Sequence, residues 1–102
     1  MGKSGRKLDG DDSEASNLLA ALGHEQRRQI LRVMADGKAI SPKEVGKKLS
    51  QPLSHVSYHI RVLAACGAIK LVRTKEVRGS TQHFYCLALE AEWARQALGL
   101  QP

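Results

Sequence analysis

Fifteen residues, Pro52 to Cys66 (PLSHVSYHIRVLAAC), hold a concentrated set of side chains able to grip another molecule. Leu53, Val56, Ile60, Leu63 and Ala64 recur at spacings of three and four, so they share one face of a helix. At about 100° per residue, Ser54, His55, Tyr58 and Arg61 project from the far side, with Ser57 and His59 on the flanks. That second face offers hydroxyls, an imidazole, a phenol and a guanidinium, and it carries no carboxylate. Such groups bond base edges and phosphate oxygens without repelling a polyanion. The stretch predicts a DNA recognition helix.

The charge around this helix agrees. The chain has a net charge of +6 and a pI near 9.7. Residues 37–87 hold nine Lys or Arg against only Glu44 and Glu76, a net +7, so the excess charge surrounds the helix and the rest of the chain is nearly neutral. A basic surface that merely faces solvent has no need of this segregation.

Several elements are needed to position such a helix. A chain of 102 residues, 42% hydrophobic, suffices for one compact domain, and with four aromatic residues its core must be aliphatic. Residues 1–12 are charged and Gly-rich and read as a disordered tail, leaving 13–100 as the domain. Ser13 is a candidate N-cap for a short helix to Leu22, with Leu18, Leu19 and Leu22 at turn spacing. His24 and Glu25 open a second helix through Asp36, with Ile30, Leu31, Val33 and Met34 inward and Arg27, Arg28 and Arg32 outward. After Gly37, Ile40 forms a strand of one or two residues. Ser-Pro-Lys-Glu at 41–44 is then a capping box with Pro at the first helical position of a helix over Pro42–Leu49.

Ser50, Gln51 and Pro52 form a tight turn into the recognition helix, because Pro52 cannot continue the helix before it. Two short helices joined in this way make a helix-turn-helix. Beyond Gly67 the periodicity changes: Ile69–Lys75 and Thr81–Leu87 read as strands, with EVRGS at 76–80 as the hairpin tip. The hairpin displays Arg73, Lys75, Arg78, Ser80, Thr81 and Gln82, which makes it a basic wing. Leu89, Trp93, Ala97 and Leu100 fit a last short helix. The expected fold is mainly α in an α+β class, a winged helix-turn-helix of about five helices with a β-hairpin wing. Ser54, His55, Ser57, Tyr58 and Arg61 are then expected to face bases and nearby phosphates, and Lys43, Gln51, Arg73, Lys75, Arg78, Ser80 and Gln82 to position the DNA backbone.

With the elements in this order, residues 20–87, about two thirds of the chain, resemble the ArsR family of winged-helix regulators. ALGHEQRRQIL resembles the family's Ala-Leu-x-x-x-x-Arg-x-x-Ile-Leu opening, and HVSYHIRVLAACGAI resembles its Val-Ser-x-His-Leu-x-x-Leu-x-x-x-Gly-Leu stretch. The resemblance implies a homodimeric transcriptional regulator, paired through its first and last helices with Leu18, Leu22, Trp93 and Ala97 at the interface. It implies an imperfectly palindromic operator with half-sites roughly 10 base pairs apart. Metal-sensing members carry paired cysteines in the first helix of the motif, where this chain reads Lys43-Glu44-Val45-Gly46-Lys47. Others carry Asp and His in the last helix, where Glu90 and Glu92 stand here. The usual metal sites and cofactors are therefore not expected, and the nature of any inducer stays open.

Other functions are weaker on the same residues. His55 and His59 are four apart, a spacing able to hold zinc or nickel, but no third ligand accompanies them; DNA contact for His55 and packing for His59 account for the pair. Cys66 and Cys86 lie twenty residues apart, which is neither a disulfide framework nor a zinc ribbon, and packing outweighs redox sensing for both. No phosphate loop, HExxH motif or nucleophile with its base is present, so catalysis is not expected. No signal peptide or membrane span is apparent, which suggests a cytoplasmic protein with reduced thiols. The alternatives are a winged-helix protein–protein module, whose binding would depend less on salt, and a repressor switched by oxidation or metal.

Overall fold

The computed structural model describes residues 17–100. The expected tail, and the turn of helix expected at Ser13, lie outside them. The described part of α1 covers residues 17–22. It is followed by α2 (Glu25–Val33), α3 (Pro42–Leu49), α4 (Leu53–Ala65), β1 (Ile69–Val77), β2 (Ser80–Leu87) and α5 (Glu92–Leu98). Together the five helices and the antiparallel hairpin form a winged helix-turn-helix. Among the described residues no helix is long and apolar enough to cross a membrane.

Local chemistry sets the helix boundaries. The capping box at α3 is fully made: the Glu44 backbone N–H donates to Ser41 Oγ at 3.3 Å, and the Ser41 N–H donates to Glu44 Oε1 at 3.0 Å. At its other end Ser50 adopts φ 55°, a left-handed cap, and the Gln51 N–H donates to the Gly46 carbonyl at 3.0 Å. Helix α2 stops at Val33, earlier than the expected Asp36, because Met34 already leaves helical geometry at ψ 6° and its N–H caps the last carbonyls. Helix α5 is likewise shorter than the expected Leu89–Leu100: Ala91 is its N-cap, and Gly99 closes it at φ 77°.

The core is aliphatic. Ile30 and Leu31 from α2 and its cap Met34 meet Val45 of α3, Val56, Ile60 and Leu63 of α4, Ile69 of β1, and Ala94 and Leu98 of α5. Three arginines expected to face outward fasten α2 to its neighbours. Arg28 Nη1 donates to the Leu22 carbonyl at 2.7 Å, Arg27 Nε to His59 Nδ1 at 3.2 Å, and Arg32 Nε to the Leu98 carbonyl at 3.2 Å. Arg27 and Arg28 are half-buried as a result.

Gly46 lets α3 and the turn approach closely. A Cβ built there would lie 2.9 Å from the Gln51 carbonyl oxygen and 3.7 Å from Val56 Cγ2. Alanine favours a helix over glycine by about 1 kcal/mol, yet a backbone oxygen inside contact distance has to move and drags the turn with it. Gly46→Ala is expected to lower stability by about 1–2 kcal/mol net in chemical denaturation. An unchanged or more stable variant would show a looser helix-turn-helix than this one.

The hairpin is longer than the sequence suggests. Both strands reach a two-residue turn, Arg78-Gly79, in which both residues are left-handed (φ 51° and 81°), the geometry that matches strand twist. The ladder slips once, at Val72 between Leu71 and Arg73. Ile40 pairs with Tyr85 through two 2.9 Å bonds, so the expected short strand is an isolated bridge that ties the base of the wing to the entry of α3.

Candidate nucleic-acid interface

The recognition face of α4 is open. Ser54, His55, Tyr58 and Arg61 are exposed and Ser57 is half-buried. Leu53 is a correction: expected inside with Val56 and Ile60, it is 53% exposed. At the first position of the helix its side chain reaches beyond the core and lines the surface between α4 and the wing.

That surface is a cleft of about 520 Å³ between the starts of α3 and α4 and the tip of the hairpin. It brings together Lys43, Ser57, Arg78, Ser80 and Gln82 of the expected DNA-binding set, with Leu53, Thr81 and His83 beside them. A second groove, of about 430 Å³, runs over the helix-turn-helix turn and joins Lys43 and Gln51 to Lys47, Ser50 and Leu53. Lys47 was not among the expected contacts, although its place one turn after Lys43 puts it on the same exposed side. Ser54, His55, Tyr58 and Arg61 form a ridge beside these hollows and do not line them.

Arg73 and Lys75 stand on the strand of the wing, exposed and away from the cleft. The Arg73 guanidinium lies 4.4 Å from the centre of the Phe84 ring, its cross-strand partner, so it covers an aromatic face while its charge remains exposed. Both carboxylates of the basic segment are engaged locally: Glu44 in the α3 cap, and Glu76 as acceptor from Thr81 Oγ1 at 2.7 Å. Nine Lys or Arg against these two carboxylates leave residues 37–87 strongly positive.

Behind the open face of α4, His59 is buried against α2. Its Nδ1 accepts from Arg27 Nε, its Nε2 lies 2.9 Å from Gln26 Oε1, and Gln26 Nε2 donates to Gln51 Oε1 at 3.3 Å. Gln51, expected only as a backbone contact, therefore also braces the turn. Burial, with His24, Arg27 and His55 nearby, holds the His59 pKa below the ordinary histidine value of 6.5. Both ring nitrogens are committed, so His59 is not free to complete a metal site with His55. Among the described residues no three His, Cys, Asp or Glu side chains come together to hold a metal ion.

On the first and last helices, Trp93 is 43% exposed and Ala97 is exposed, Leu18 is half-buried, and Leu22 lies inside the chain's own core. Leu19, 62% exposed, is the large apolar residue that α1 presents outward instead. Cys66 and Cys86 are half-buried free thiols, and Cys66 Sγ donates to the Leu63 carbonyl at 3.4 Å.

A family described as Helix-turn-helix domain matches residues 22–72, half of the chain. The chain belongs to this family. The match runs from the end of α1 into β1 and so contains α2, α3 and the recognition helix. A comparison with curated proteins gave no match.

Among solved structures, the helix-turn-helix chain is similar to reduced HlyU from Vibrio cholerae, at 24% identity and a TM-score of 0.67, over 92% of this chain and 90% of that one. It is similar to a homodimeric winged helix-turn-helix DNA-binding domain from Mycobacterium bovis, described as a possible ArsR-family regulator, at 19% identity and a TM-score of 0.69, over 89% and 77%. An ArsR-like transcriptional regulator from a Rhodococcus species matches at 26% identity and a TM-score of 0.61, over 86% and 74%. The fold is that of the winged helix-turn-helix transcription regulators, and the resemblance to the ArsR family holds in structure as in sequence.

Proposed function

We propose that this protein is a homodimeric, sequence-specific DNA-binding repressor of transcription that works without a bound metal or cofactor, in the cytoplasm. The observation that carries the reading is the set of exposed cations Lys43, Lys47, Arg61 and Arg78 spread over the α3 groove, the ridge of α4 and the cleft under the wing, within a segment of net charge +7. Base edges meet Ser54, His55, Tyr58 and Arg61, with Ser57 at the cleft margin. Phosphates meet Lys43, Lys47, Gln51, Arg78, Ser80 and Gln82, and Arg73 and Lys75 add field further along the wing.

Dimerisation follows from the apolar surface left on the terminal helices. Leu19 and Trp93 are large exposed apolar side chains on α1 and α5, which a second copy would cover, and a dimer of winged helices reads two half-sites about one turn of DNA apart. The similar domain from Mycobacterium bovis is described as homodimeric, which supports this reading.

The test is fluorescence anisotropy with a labelled random duplex over a range of salt concentrations, beside a sizing run. A dimer-sized species whose affinity falls steeply with salt is expected. Arg78→Ala is expected to weaken binding to every duplex severalfold and to reduce the steepness of the log–log salt plot by about 1, one lost phosphate contact. An unchanged slope would remove the wing from the interface. No binding at low salt would sink the DNA reading and favour a protein-docking module.

A further inference from the structure

His59 is buried behind the exposed face of α4 with both ring nitrogens bonded. Arg27 Nε is a donor under all ordinary conditions, so the Nδ1 it bonds must carry a lone pair. The single ring proton then sits on Nε2 and is donated to Gln26 Oε1. One neutral tautomer therefore satisfies the whole chain of bonds from Arg27 through His59 and Gln26 to Gln51. This chain joins α2, the middle of α4 and the turn that enters α4. We propose that His59 is a positioning residue for DNA binding, and that its protonation in mild acid releases the recognition helix and weakens the grip on DNA. The inference rests on the DNA-binding reading above.

The groups around the ring decide the direction. From α2 and its N-cap come the Arg27 guanidinium and the His24 ring, 4.6 Å away; from α4 come His55 and the edge of Tyr58, at 5.3 Å. The turn contributes only the neutral amide of Gln51, and the small void beside the ring is otherwise lined by Ile30, Leu49 and Val56. No carboxylate is among these groups to stabilise an imidazolium. A proton on Nδ1 would set two donors and two positive charges against each other where a bond had been. The bonded arrangement is therefore complete at neutral pH and is lost as pH falls below the ordinary histidine value of 6.5, because His59 titrates lower than that. A second effect on DNA binding comes from the exposed His55 and His83. The two effects can be separated because the exposed histidines are the same in a variant that changes His59 alone.

Glutamine at position 59 can accept from Arg27 and donate to Gln26 but cannot take up a proton. The experiment measures the dissociation constant of a random duplex, at fixed ionic strength, for the wild type and His59→Gln between about pH 7.5 and pH 5.0. The ratio of wild type to variant is expected to rise about tenfold as the pH falls, and its midpoint to coincide with the titration of His59 followed through its ring nitrogen shifts by NMR. A flat ratio, with both proteins binding at pH 7.5, would overturn the switch and leave the DNA reading intact. A failure of both to bind at any pH would overturn both. Should His59→Gln fail to fold, the wild type alone decides: an affinity change whose midpoint departs from the His59 titration overturns the proposal, and coincidence supports it.

Discussion

Leu63→Ala is expected to lower the free energy of unfolding by about 3 kcal/mol and the melting temperature by roughly 15 °C, while Leu53→Ala in the same helix changes stability by less than about 0.5 kcal/mol. Both leucines fit the apolar periodicity of α4, and periodicity alone would assign them equal weight. Their surroundings differ completely: Leu63 is 0% exposed in the aliphatic core, and Leu53 is 53% exposed at the mouth of the cleft. Truncating Leu63 removes buried methyl groups and leaves a cavity among rigid neighbours; truncating Leu53 removes surface already in contact with water. Domains of this size have only about 5–15 kcal/mol of stability, so the first change consumes a large share of it. Denaturant titration with an unchanged m-value is the measurement. Equal losses for the two variants would mean that α4 is rotated about its axis, and the recognition face would have to be redrawn.

The same pair of residues shows what the sequence makes legible and what it does not. Features encoded within a few residues of one another are plain: the Ser41–Glu44 capping box, Pro52 as the break between two helices, and the change of period after Gly67. Each is a local choice with few competing solutions. Leu53 escapes because periodicity gives the direction of a side chain around the helix but not whether the core extends as far as that turn. Arg27, Arg28 and Arg32 look like a solvated face because their acceptors, His59, the Leu22 carbonyl and the Leu98 carbonyl, lie 32, 6 and 66 residues away. Gly46 is ordinary in the sequence and becomes critical only when the Gln51 carbonyl is set against it. Of the candidate interface, the residue types and the concentration of charge are visible in the sequence. Their division into a ridge, a groove and a cleft is a product of how the turn sets α3 against α4 and of how the tip of the wing lies over the starts of both helices.

That division leads to the largest expected effect on recognition. Arg61 is exposed on the ridge and has no hydrogen-bond or ion-pair partner among the described residues, so its guanidinium is available to DNA. It stands eight residues beyond the start of α4, roughly 12 Å along the axis, where a helix lying in the major groove still faces base edges. A guanidinium there is able to bond guanine O6 and N7 together, which a lysine ammonium cannot reproduce. On an operator selected from a random library, Arg61→Ala is expected to weaken binding by about 1–3 kcal/mol, tenfold to more than a hundredfold. On random duplex the loss should be far smaller, so the ratio of specific to non-specific affinity collapses. Arg61→Lys separates the two ways the residue can act. A base-reading Arg61 requires the lysine variant to keep random-duplex affinity and salt slope while losing most of the operator preference. A lysine variant that retains the preference would reduce Arg61 to a phosphate contact, and would transfer the reading of sequence to Ser54, His55 and Tyr58 nearer the start of the helix.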